Sequence, residues 1–78
     1  MNDKQKQLIT DLANDFKPFI DEIEKGIKTT QNNYGRYMSI ISGFSKGNKT
    51  VGQVIGLALI EAGANAKGVQ SALGLCGY

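Results

Sequence analysis

The residues best equipped for chemistry gather in one short stretch, GFSKGNKT, residues 43–50. Lys46 and Lys49 supply positive charge, Thr50 a hydroxyl and Asn48 a side-chain amide, just where an apolar run begins. A helix starting there presents backbone N–H groups and the positive end of its dipole, which together attract a phosphate. Lys46, Lys49, the Thr50 hydroxyl and the amides of Val51 and Gly52 are expected to converge on one anion. Upstream, Arg36 stands between Tyr34 and Tyr37. A cation beside an aromatic ring can hold a phosphate while the ring stacks a base. Tyrosines three residues apart on a helix also serve packing, so one ring at most is given a stacking role. Arg36, Tyr37, Lys46, Asn48, Lys49 and Thr50 form the candidate ligand-binding set.

Other chemistry finds little footing. The nucleotide-hydrolase loop pattern GxxxxGK[ST] fails, because Asn48 separates Gly47 from Lys49, and 78 residues cannot hold the sheet that such enzymes require. There is no histidine, and the single cysteine, Cys76, has no base partner in view. The acidic residues around Asp21 and Glu22 belong to a solvated helix face, and no serine has a visible activating group. The expectation is a protein without catalytic activity, metal or cofactor. An intrachain disulfide is ruled out by the cysteine count. The longest apolar stretch, residues 51–60, falls well short of the roughly 20 residues that cross a bilayer. The opening MNDKQKQLITDLANDF lacks the features of a secretory signal, so no membrane partner is expected and the chain is assigned to the cytoplasm.

Charge is divided along the chain. Residues 1–24 carry three lysines against six acids, a net of −3, and residues 25–78 carry six cations against Glu61 alone, a net of +5. This polarity suits an anionic partner on the basic part, attraction between copies, or an ordinary solvated surface.

The elements that must position these groups are helical. Leu8, Leu12, Phe16, Ile20, Ile23 and Ile27 recur at helical steps, with Ile9 and Phe19 widening the stripe. Pro18 interrupts it in phase, which predicts either one kinked helix over about 4–28 or two helices meeting near Lys17. The polar run at 29–33 predicts a break. Tyr34, Tyr37, Met38, Ile41 and Phe44 predict a helix over 33–45; a strand over 37–41 has no second strand to pair with. Thr50 is read as the N-cap of a helix over 51–62, buried through Val51, Val54, Ile55, Ala58, Leu59 and Ala62. Gly63 is expected to end that helix in a left-handed conformation. Asn65 is expected to cap a last helix over 66–75, with Val69, Ala72, Leu73 and Cys76 inward.

Small residues crowd the C-terminal half. Gly52 and Gly56 form a GxxxG step, and Ala58, Ala62 and Ala66 follow at four-residue spacing. Glycine inside a helix is about 1 kcal/mol less favourable than alanine, so close approach of another backbone is the expected offset. That backbone lies in the same chain or in a second copy. A chain this short buries only about 60% of its unfolded surface, which favours the second copy. Gly52, Gly56, Ala58 and Ala62 are accordingly assigned to a homo-oligomer interface.

Together these readings predict a single all-α domain over 1–78, a compact bundle of four or five short helices with a helix-turn-helix-like C-terminal corner. The outward positions of the last helix, Ala66, Lys67, Gly68, Gln70, Ser71 and Gly74, hold one cation, against the several polar groups that base reading needs. The leading functional expectation is a homo-oligomeric binding protein engaging nucleic acid or a free nucleotide through the basic loop. The alternative is a protein-interaction module, an inhibitor or assembly factor of the kind mobile genetic elements carry. It would use the Gly/Ala-rich C-terminal surface or the acidic N-terminal helix.

Overall fold

A computed structural model describes residues 2–26 and 34–78, which form four α-helices: α1 Asp3–Gly26, α2 Tyr34–Ser45, α3 Lys49–Glu61 and α4 Ala66–Leu75. The described residues contain no strand. The expected break at 29–33, the end of the first helix at 28 and the place of Ile27 lie outside the described residues.

α1 starts with a reciprocal cap. Asn2 Oδ1 accepts the Gln5 N–H at 2.8 Å, and Gln5 Oε1 accepts the Asn2 N–H at 3.4 Å. The helix runs through Pro18 as one element. Pro18 and Asn14, four residues earlier, both stand on the exposed face, so the carbonyl that loses its donor is open to water. The buried line of α1 is Ile9, Ala13, Phe16, Ile20 and Ile23. Leu8 and Phe19, the residues that widen the stripe, stay on its flank, 48% and 64% exposed.

The α2–α3 and α3–α4 connections are tight and use left-handed residues. Lys46 (φ 49°) and Gly47 (φ 84°) turn the chain out of α2. Asn48 then caps α3, its Oδ1 accepting the Val51 N–H at 3.0 Å. The expected cap, Thr50, is therefore corrected to Asn48, and α3 begins at Lys49. Asn48 is the residue in extended conformation after the left-handed pair, whereas Thr50 is already inside the first turn. α3 ends as expected at Gly63 (φ 109°), where the Ala64 N–H reaches the Leu59 carbonyl at 2.9 Å and the Gly63 N–H the Ile60 carbonyl at 3.0 Å. Asn65 caps α4 by accepting the Gly68 N–H at 2.9 Å. Gly77 (φ 79°) repeats the same ending on α4, with the Tyr78 N–H on the Leu73 carbonyl at 2.8 Å.

α3 is the central helix and touches the other three. Ala58 and Leu59 on α3, Tyr37 and Ile41 on α2, and Val69 and Ala72 on α4 are fully buried. The radius of gyration, 11.7 Å, matches the ~11.5 Å of a compact domain of this length.

The small residues assigned to a subunit interface are instead covered by their own chain. A Cβ at Gly52 would run into the Tyr78 ring, and one at Gly56 would lie 2.9 Å from Leu73 Cδ1. Ala58 and Ala62 are in the core. What approaches the two glycines is not a backbone but two side chains, Leu73 of α4 and Tyr78 just beyond it, which a four-residue connection returns against α3. Gly68, expected outward, is buried.

Candidate functional site

The six residues of the expected anion site do not form one cluster. Arg36 is exposed near the start of α2 and Lys46 follows its end. Nine residue steps along α2 separate Arg36 from Ser45, about 13 Å along the axis. Tyr37 is 0% exposed, so its ring is not available to stack a base. Its hydroxyl oxygen accepts the Asn65 N–H at 3.3 Å, a donor shared with Glu24 Oε1 at 3.2 Å. Tyr37 thus joins α1 and α2 to the α3–α4 connection and is corrected from a ligand residue to a core residue.

The loop is also more committed than its composition suggests. The Val51 N–H is taken by the Asn48 side chain and the Gly52 N–H by the Asn48 carbonyl at 2.9 Å. The two amides expected to meet a phosphate are therefore engaged. Lys46 and Lys49 remain with exposed side chains, and Thr50 borders an apolar hollow rather than a polar one.

The surface that sequence reasoning missed runs along one flank of α1. Leu8, Leu12 and Phe19 lie within about 40° of one another at 100° per residue, beside the buried line. Two hollows open on that flank. In one of about 420 Å³, Leu8 and Leu12 face Thr50, Val51, Val54 and Ile55 of α3. In the other, of about 130 Å³, Phe16 and Phe19 face Ile40 and Phe44 of α2. The Phe16 and Phe44 rings meet edge to face, centroids 5.2 Å apart, yet Phe44 stays 59% exposed. The two hollows are one turn apart along α1, Leu12 in one and Phe16 in the other, and together they are termed the trough, with α1 as one bank and residues of α2 and α3 as the other.

Asp11, Asp15 and Glu22 each follow a flank residue, Leu8, Leu12 or Phe19, by three positions, so they form an exposed acidic row beside the apolar one, with Lys4 at its head. Lys49, two residues before Val51, stands about 200° from it round α3 and so lies away from the hollows. The sequence signal was present in the extra width of the first stripe, which exceeds what one buried face needs. A third hollow, about 450 Å³, lies on the other side of α1 between Lys6, Ile9 and Thr10 and α3 residues Leu57, Ile60 and Glu61.

Among the described residues no three His, Cys, Asp or Glu side chains are grouped as a metal would require, and no helix is long and apolar enough to cross a membrane. No protein family, curated protein or solved structure matches this chain.

Proposed function

We propose that this chain is a non-catalytic intracellular protein-binding module, an inhibitor or assembly factor, whose docking surface is the trough on the flank of α1. The observation that carries the reading is the exposure of Phe19, Phe44 and Leu8 around two adjoining apolar hollows. Contiguous apolar surface with aromatic anchors is the usual mark of a protein contact. Of the two interaction surfaces that the sequence offers, the Gly/Ala-rich one is consumed by α4, which leaves the acidic first helix. The sequence across α3 and α4 can be laid on the helix-turn-helix pattern, but α4 presents Lys67 as its one cation to solvent, which argues against base reading.

Site-specific photo-cross-linking in the host cell tests this. A photoreactive phenylalanine analogue at position 19 is expected to give protein adducts, and the same group at Asn14, exposed on the far side of α1, is expected to give none. Equal labelling from both positions, or no adduct at 19, defeats the reading.

A second reading keeps the anionic partner. Arg36 at one end of α2, with Lys46 and Lys49 at the other, suits an extended polyanion better than a single nucleotide. Lys46→Ala with Lys49→Ala is then expected to weaken oligonucleotide binding, which would itself fall steeply with salt; binding indifferent to both removes this alternative.

A further inference from the structure

We infer that the occupant of the trough is a basic amphipathic helix of a partner protein, with its apolar side chains in the two hollows and its Lys or Arg residues along the acidic row of α1. This rests on the reading of the trough as a protein-docking surface and names the chemistry of its partner.

The two hollows set where the apolar side chains of the occupant go. Among the described residues no charged side chain lines either of them, and the smaller is lined by Phe16, Phe19, Ile40 and Phe44. The midpoint of Leu8 and Leu12 lies about 11 Å along α1 from that of Phe16 and Phe19. Anchors at i and i+7 of a partner helix span the same two turns, which is how an amphipathic helix fills an apolar groove.

The acidic row sets where the cations go. At 100° per residue, Asp11, Asp15 and Glu22 fall within about 40° of one another, each about 60° to the solvent side of the flank residue three positions before it. All three are exposed, and they extend over about 17 Å of α1, alongside both hollows. A helix lying in the trough sets one of its flanks against this row, where opposite charge is favoured. Lys46 and Lys49 line neither hollow. Arg36, one turn before Ile40 on α2, belongs to the other bank, so the cations of the occupant lie on its α1 side. The same row repels an acidic helix, a nucleic acid or an anionic lipid surface.

Fluorescence anisotropy with synthetic helical peptides of about five turns reads the partner chemistry. The peptides share apolar anchors at i and i+7 and differ along one flank, in lysine, glutamine or glutamate. The lysine peptide is expected to bind roughly 10-fold or more tighter than the glutamate one, the difference narrowing with salt. Asp11→Lys with Asp15→Lys is expected to weaken the lysine peptide by roughly 10-fold or more. Phe19→Ala, which removes an anchor contact without adding charge, is expected to weaken all the peptides. Asp3→Lys with Asp21→Lys makes the same change of charge on the far side of α1 from Phe19 and is expected to leave the lysine peptide within about twofold. Circular dichroism checks that each variant keeps its helices. A lysine peptide that does not bind, or binds no better than the glutamate one, overturns the inference. So does equal loss from the two charge reversals, which would mean bulk attraction in place of a site. Cross-linking at position 19, with the joined segment identified by mass spectrometry, separates the two readings. A segment with Lys or Arg along one flank of an apolar stripe is expected. Adducts to a segment without that flank, or to a second copy of this chain, defeat the basic partner and leave the docking surface standing, and no adduct defeats both.

Discussion

Tyr78 lies at the meeting point of three helix ends. Its ring covers Gly52, its hydroxyl is 2.8 Å from the buried Ser45 Oγ, and its carbonyl accepts the Gln53 side-chain amide at 3.1 Å. One side chain therefore ties the end of α4 to the end of α2 and the start of α3. Tyr78→Phe removes the bond to Ser45 and is expected to lower stability by about 1 kcal/mol in urea unfolding. Tyr37→Phe is expected to lower it less, about 0.5 kcal/mol, because the Asn65 N–H keeps Glu24 as an acceptor. A larger loss for Tyr37→Phe than for Tyr78→Phe would contradict this ranking. The cap of α3 gives a second residue-scale test. Asn48→Ala is expected to lose about 1 kcal/mol, and Thr50→Ala, inside the first turn, less than about 0.5 kcal/mol. The reverse order would return the cap to Thr50.

Glycines have opposite roles in different helices. Gly43 on α2 has open space where a Cβ would stand, whereas Gly52 on α3 has the Tyr78 ring there. Gly43→Ala gains helix propensity alone and is expected to stabilise by about 0.5–1 kcal/mol. Gly52→Ala gains the same propensity but must displace the ring and its bond to Ser45. A net loss of about 1 kcal/mol is expected, measured by the same unfolding experiment. Stabilisation by both substitutions would mean that Tyr78 is not held against α3. α1 differs from the other helices in how its apolar residues are divided. It buries one line and leaves a second exposed beside a row of acids, which is why the docking surface is proposed there and not on α3, whose glycine and alanine face is already covered.

The whole molecule joins an acidic first helix to a basic remainder. Local periodicity was enough to identify the helices over 34–45 and 66–75 and the single chain of apolar positions through Pro18. The candidate site was less legible. Arg36, Lys46 and Lys49 are exposed as expected, but Tyr37 is buried and the amides of Val51 and Gly52 are engaged.

The amino-acid sequence by itself determined the helical class, the Asn65 cap of α4 and the Gly63 end of α3, because these depend on interactions within about four residues: stripe spacing, Asn at a helix start, glycine at a left-handed end. It also determined the division of charge. The tertiary structure alone decided which faces meet. Tyr78 reaches Ser45 and Gly52 across α3 and α4, Tyr37 reaches Asn65, and Phe44 and Val51 come to stand opposite Phe19 and Leu8. The physical reason is that a stripe says which side of a helix avoids water, and only packing against specific neighbours says what covers that side and what is left open.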